Sequence, residues 1–230
     1  MKLQDAIVLI TGANRGIGLA FTEAALARGA RKVYAGARSP SSITTPGVVP
    51  VKLDVTSDKD VAAAAQICAD VTLVINNAGI ARPGGLLKPE ASDASRAQFD
   101  TNVFGILRMT QAFAPVLAKN GGGAFLNVLS AASWINSGAM TGYAVSKAAA
   151  WSLTNGLRNE LRQQRTQVLG LHVGFVDTDL ARGLDVPKVS PQTVVIAALD
   201  ALEAGASEVL ADDRARMVKR GLTTEPAIYL

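Results

Sequence analysis

Short apolar runs alternate with helix-like stretches along almost the whole chain, and that alternation limits the possible folds more than any other feature. Strand candidates are Ala6–Ile10, Lys32–Ala35, Val48–Leu53, Thr72–Asn76, Ala124–Leu129, Gln167–Val173 and Glu208–Leu210. They read as continuous apolar runs rather than every-second-residue patterns, which fits strands covered on both faces. Helical candidates fall between them at Gly18–Arg28, Lys59–Ala69, Ala94–Asn120, Gly142–Gln164 and Pro191–Ala204. Ser57 ahead of Asp58, Gly29 after the first helix, and the Ser190-Pro191 pair supply helix punctuation. The pattern predicts an α/β, doubly wound, Rossmann-type fold: a predominantly parallel, seven-stranded sheet flanked by helices on both faces. With no linker or repeat, residues 1–230 are expected to form a single domain. Within it, 212–230 is read as a C-terminal tail, either laid over a neighbouring subunit or frayed.

Composition removes several function classes. Cys68 is the only cysteine and His172 the only histidine, so intrachain disulfides, multi-cysteine zinc sites and histidine clusters are excluded; no metal is expected. Cys68 reads as a small buried apolar residue and His172 as a structural one, against the alternatives of a reactive thiol and a functional imidazole. The formal charge of +4 is modest and its cations are scattered, without the basic stripe and stacking aromatics that nucleic acid requires. No run of eighteen apolar residues occurs, and Asp5 interrupts the N-terminal one, so a protein of the cytoplasm, away from the membrane, is expected.

Directly after the first strand comes Thr11-Gly12-Ala13-Asn14-Arg15-Gly16-Ile17-Gly18, followed by an apolar helix. Glycines there allow a tight turn and close approach of backbone to a pyrophosphate, which the helix N-terminus then attracts. The spacing is Gly-x3-Gly-x-Gly, and its position between first strand and first helix carries the signal. Dinucleotide folds place a carboxylate for the ribose 2′-hydroxyl about 20 residues on. Here Arg38 follows the second strand, and Arg15 adds a second cation in the loop. Guanidinium binds a 2′-phosphate that a carboxylate would repel, so NADP(H) is expected over NAD(H); the alternative is two solvated arginines.

Tyr143 and Lys147 lie four residues apart at the start of a helical stretch, on one face. A phenol with pKa about 10 is too weak an acid near neutrality, and an adjacent ammonium would stabilise its phenolate. The pair is unexceptional alone. The glycine loop, Asn76-Asn77-Ala78-Gly79, Asn102, Ser130 and Tyr143-x3-Lys147 nevertheless occur in an order that resembles the short-chain dehydrogenase/reductase family. The resemblance covers nearly the whole chain.

That resemblance implies the following roles. Tyr143 would protonate a carbonyl oxygen as hydride arrives, or deprotonate the alcohol in reverse, with Ser130 hydrogen-bonded to the same oxygen. Lys147 would bind the nicotinamide ribose and lower the Tyr143 pKa, and Asn102 would hold a water that relays protons to Lys147. Gly12, Asn14, Arg15, Gly16, Ile17 and Gly18 would cradle the cofactor, with Asp54 and Val55 at its adenine. Asn77, Ala78 and Gly79 would flank it, and Val176 and Thr178 would reach the nicotinamide amide. Val173 stands where the family commonly has proline, although Gly174, Val176 and Thr178 match. Alternatives stay open: Asn102 as a helix tie, Asp54 as a turn residue, and Ser133 or Ser137 as rivals to Ser130, at less suitable spacing.

Loops at Arg82–Ser92, Ala131–Thr141 and Asp179–Ser190 offer Trp134, Ile135, Met140, Leu180 and Leu184, which points to an apolar or aromatic ketone or aldehyde as the small-molecule substrate. Trp134 has the alternative of packing only on scaffold. The expected activity is an NADPH-dependent carbonyl reductase. Its rivals are an NAD-dependent dehydrogenase oxidising alcohols and a non-catalytic NADP(H)-binding regulator. The family commonly pairs through two long helices, for which Phe104, Phe113 and Trp151 are available, so a homo-oligomer is expected, tetramer ahead of dimer.

Overall fold

The computed structural model describes residues 1–230. Seven strands form one sheet: β1 (Ile7–Thr11), β2 (Lys32–Ala37), β3 (Val49–Lys52), β4 (Leu73–Asn76), β5 (Gly123–Val128), β6 (Thr166–His172) and β7 (Glu208–Leu210). Their order is β3-β2-β1-β4-β5-β6-β7 and every neighbouring pair is parallel. The expected doubly wound fold is therefore the observed one. The order reverses between β1 and β4, and the crevice beyond their carboxyl ends is where such sheets take ligands.

All five residues of β1 are buried because alternate side chains feed two separate cores. Val8 and Ile10 pack with Phe21 and Ala25 of α1 (Gly16–Ala27) and Val194 and Leu199 of α6 (Pro191–Glu203). Ile7 and Leu9 pack on the opposite face, with Val61 of α2 (Asp58–Ile67), Phe113 and Leu117 of α4 (Gly105–Lys119), and Leu157 of α5 (Thr141–Glu160). Two-sided coverage explains why the strands read as unbroken apolar runs. Cys68 is one of the buried apolar residues, and burial pushes its thiol up to about 12. The edge strand β3 departs from expectation, since only Val51 of its four residues is buried and Pro50 sits within it. An edge position tolerates the donor that proline lacks.

Three further expectations are corrected. The single helix expected over Ala94–Asn120 is broken into α3 (Ala91–Phe99), a π-helical turn at Asp100–Phe104, and α4. Asn102, inside that turn, is captured by the backbone of Ile80, and Gly105 lies so close to Val55 that a Cβ there would come within 2.8 Å of its methyl. Of the aromatic residues offered for subunit packing, Phe113 is fully buried in its own core and Trp151 is half-buried against Trp134, leaving Phe104 exposed. The third concerns the reading of 212–230 as frayed: α7 (Asp213–Gly221) buries Ala215 and Val218 against Ala131. No helix is long and apolar enough to cross a membrane.

Asp212 starts α7 as its N-cap. Its buried carboxylate accepts from Ala215 N at 2.7 Å and from Gly174 N, which ties α7 to the end of β6. Asp212→Ala is expected to cost about 2 kcal/mol by removing a cap and orphaning a buried N–H. Urea unfolding measures it, and an unchanged midpoint would show that these bonds do not hold the helix.

Candidate active site

The site begins where β1 and β4 part. Thr11, the last residue of β1, is buried, and its hydroxyl accepts from Asn77 N and Ala78 N, each at 2.9 Å. Asn77 returns the contact, its amide donating to Thr11 O at 2.9 Å and Gly12 O at 3.2 Å. The chain then turns through Gly12 at φ +64° and enters α1. Gly18 is dictated by packing: a Cβ there would lie 2.1 Å from Gly12 O. Arg15, the N-cap residue, provides no side-chain cap, so the first α1 N–H groups face the crevice without a protein acceptor. Gly12, Asn14, Gly16, Ile17 and the segment Asn77–Gly79 line that crevice, a cleft of ≈ 1500 Å³ that reaches Ser130, Tyr143 and Lys147.

The N-terminal turns of α5 present Tyr143 and Lys147 to the cleft. Lys147 is buried, and its ammonium donates to Val128 O, at the end of β5, at 2.7 Å. Burial lowers its pKa to about 8. Tyr143 is half-buried, and its pKa is raised to about 12 by burial, against a weaker opposite pull from the Ser130 hydroxyl. The lysine was expected to lower it. In this arrangement Lys147 Nζ stands 5.7 Å from the Tyr143 ring centroid and spends a hydrogen bond on Val128 O, so burial of the phenol wins.

Ser130 lies beyond β5 with its hydroxyl accepting from Ala132 N at 3.1 Å. Its rivals are placed elsewhere: Ser133 Oγ donates to Lys147 O at 3.0 Å and Ser137 is exposed. Asn102 sits one layer behind the phenol. Its Oδ1 accepts from Ile80 N at 2.9 Å, and its Nδ2 donates to Ile80 O at 2.9 Å and to Ser146 Oγ at 3.0 Å. Both amide hydrogens are committed to protein, so the side chain ties the Ile80 segment to α5.

At the other end of the cleft, Asp54 Oδ1 accepts from Thr56 N and Oγ1 at 2.9 and 2.7 Å, making a turn. These bonds, helped by Arg38 and Arg108, outweigh burial and lower its pKa. Arg38 is exposed on the cleft wall and has no ion-pair partner, whereas Arg15 pairs with Asp179 at 3.0 Å. Of the two cations expected to meet a phosphate, Arg38 is the uncommitted one. Val176 is buried and Thr178 approaches the glycine loop at Gly16. Ile135, Met140, Leu180 and Leu184 line the cleft, but Trp134 does not; it stacks on His172 with ring centroids 3.9 Å apart.

Thr11 and Ser146 escaped the sequence reading as functional positions. Thr11 stood in the motif without a role, and nothing in spacing announces that its hydroxyl serves two N–H groups just beyond β4. Ser146, inside the Tyr-x3-Lys segment, bridges Asn102 to Tyr143 O, donating to that carbonyl at 2.7 Å.

An uncapped helix start at a glycine turn, an unpaired arginine on the cleft wall and a buried lysine beside a phenol fit a nicotinamide dinucleotide. The short chain dehydrogenase family model matches residues 6–187. The 3-oxoacyl-(acyl-carrier-protein) reductase of Vibrio harveyi is 29% identical over 194 residues, 80% of this chain and 79% of that protein. The 7α-hydroxysteroid dehydrogenase of Escherichia coli is 29% identical over 201 residues, 82% and 78% of the two chains. A short-chain dehydrogenase from Burkholderia cenocepacia, crystallised in complex with NADP, superimposes with a TM-score of 0.94 at 41% identity, covering 98% of this chain and 96% of that one.

Thr11→Val removes the acceptor of two N–H groups while keeping the side-chain shape. It is expected to cost about 2–4 kcal/mol, at about 1–2 kcal/mol per orphaned donor. Thermal unfolding measures this, and an unchanged transition would show that water replaces the hydroxyl.

Proposed function

The chain belongs to the short-chain dehydrogenase family, and from that premise we propose that it is an NADPH-dependent reductase of apolar or aromatic ketones and aldehydes. The protonated Tyr143 phenol, lining with Ser130 and Lys147 an apolar-rimmed cleft, carries this reading. The bound cofactor supplies the hydride. Backbone N–H groups of the Gly12–Gly18 turn hold its pyrophosphate, with Asn14 and Ile17 beside it. Arg38 pairs with the 2′-phosphate, and Asp54 and Val55 close the adenine end. Asn77, Ala78 and Gly79 form one wall, and Val176 and Thr178 hold the amide end.

Tyr143 donates its proton to the carbonyl oxygen. Ser130 donates a second hydrogen bond to the same atom and stabilises the charge that develops there, an arrangement worth several kcal/mol in a site sheltered from water. Lys147 holds the ribose and keeps a positive charge behind the phenol. Asn102 positions both by fixing the Ile80 segment and, through Ser146, the first turn of α5.

Several observations favour NADP(H). Arg38 is unpaired, no carboxylate occupies its place, and the Burkholderia cenocepacia relative was crystallised with NADP. A regulator without catalysis would have no use for Ser130, Tyr143 and Lys147 lining one cleft. We further propose a homo-oligomer, tetramer ahead of dimer, using the exposed Phe104 and Val145.

Tyr143→Phe is expected to lower kcat about 1000-fold while leaving the NADPH Kd within about twofold, since the hydroxyl acts only on the reacting oxygen. Steady-state kinetics with fluorescence titration checks this, and retained turnover would remove Tyr143 from its role. Arg38→Asp is expected to weaken NADPH about 10- to 100-fold by exchanging an attractive charge for a repulsive one, with little effect on NADH. Titration with both cofactors tests it, and an equal loss for each would refute the 2′-phosphate assignment.

A further inference from the structure

His172, the last residue of β6, is fully buried and has no part in the mechanism above. Its Nδ1 lies 3.1 Å from the main-chain oxygen of Ser130. A carbonyl only accepts, so Nδ1 carries the proton and donates. Nε2 is then bare, and it stands 3.5 Å from Glu208 Oε1 on β7. An unshielded carboxylate there would draw a proton onto the ring. Glu208 is instead engaged by Lys219 Nζ of α7, at 3.0 and 2.9 Å from its two oxygens. Burial, the largest influence, lowers the His172 pKa to about 4; Lys219 and Lys147 push the same way, and the Ser130 bond and Glu208 oppose them. The ring is neutral at neutral pH.

The ring plane is held as firmly as its edge. Trp134 stacks on the imidazole at an interplanar angle of 16°, and Lys219 lies over the Trp134 ring at 4.6 Å. Trp134 itself caps the helical turn Ala131–Ser133 that immediately follows Ser130. Imidazole and indole therefore grip the Ser130 segment from two sides, and both are anchored by α7.

We propose that His172 is a positioning residue for the reaction: its Nδ1–H fixes the main chain of Ser130, and so the aim of the Ser130 hydroxyl, with Glu208, Lys219 and Trp134 holding the imidazole. The inference rests on the reading of Ser130 as the donor to the reacting oxygen. A hydrogen-bond donor acts on developing charge only when its direction is set beforehand, and displacements well below 1 Å reduce rates severalfold. The C-terminal helix thus contributes to catalysis through the shape of the Ser130 turn.

The test uses a ketone that the wild-type protein reduces with NADPH. His172→Phe keeps ring and stack but loses the donor, and is expected to lower kcat about tenfold with KM and NADPH Kd within about twofold. His172→Asn places an amide N–H where Nδ1 stood and is expected to restore most of kcat. Lys219→Met removes the cation that engages Glu208 and lies over Trp134, so the imidazole is held less firmly; it is expected to lower kcat in the same direction, which keeps the test open should the phenylalanine variant fold poorly. Combined with Ser130→Ala, His172→Phe is expected to add no further loss. Wild-type kcat in folded His172→Phe or Lys219→Met, or full additivity with Ser130→Ala, would overturn the inference. Wild-type kcat in Ser130→Ala alone would instead overturn the reading of Ser130 on which it rests.

Discussion

A lysine buried beneath the carboxyl ends of β4 and β5 is the costly element around which the site is organised. Moving the Lys147 pKa from 10.5 to about 8 corresponds to about 3 kcal/mol of destabilised ammonium. The penalty is present at neutral pH and disappears only as pH rises from about 8 past 10.5, where folded and unfolded chains both lose the proton. The chain carries it because Val128 O accepts from the ammonium and because α5 is fastened along its length. Ser133 binds Lys147 O, Ser146 and Asn102 bind the first turn, and Thr154 reaches Asn127 of β5, which in turn accepts from Asn76 of β4. Those bonds form a polar seam through an otherwise apolar core. A helix docked only by Leu157 and Ala150 could shift by part of a turn without much loss; one tied by directional bonds cannot.

The same logic extends to the chain's last segment. A sheet that ends at β7 leaves the Ser130 turn with little behind it. α7 fills that space, capped by Asp212 and tied to Gly174, with Lys219 reaching across to Glu208. On the cofactor side, Arg15 and Asp179 clasp the glycine turn to the segment after β6 across an exposed ion pair. Such a pair contributes at most about 1 kcal/mol and is weakened by salt. It orients loops more than it stabilises the fold.

The fold was legible because two-sided burial leaves an unmistakable trace, and β1 with five consecutive buried residues is its clearest instance. Helix punctuation at Ser57, Gly29 and Ser190 is equally local, and each occupies the expected place. What stayed hidden depends on partners distant in sequence. The break at Asp100–Phe104 follows from Asn102 meeting Ile80 and from Gly105 pressed on Val55, and neither contact has a periodicity. The helix α7 has a polar composition whose short apolar side matters only against Ala131, 84 residues from Ala215. Likewise the motif groups Ser130, Tyr143 and Lys147, which line one cleft, but the commitment of Arg15 to Asp179 has no such trace, since 164 residues separate them.

The protonation state of the site also bears on direction. With its pKa near 12, the Tyr143 phenol retains its proton throughout the neutral range, which is the form that donates to a carbonyl oxygen. Forming the phenolate means overcoming the burial that raises this pKa. A single positive charge at about 4 Å returns about 4 kcal/mol at an effective permittivity of about 20. Lys147, tied to Val128 O and 5.7 Å from the ring centroid, offers less than that. A second cation beside the ring would add to that pull; without one, the neutral phenol is the resting form. Burial keeps Tyr143 in its protonated, donor form, and stabilising the phenolate is left to charges placed beside it.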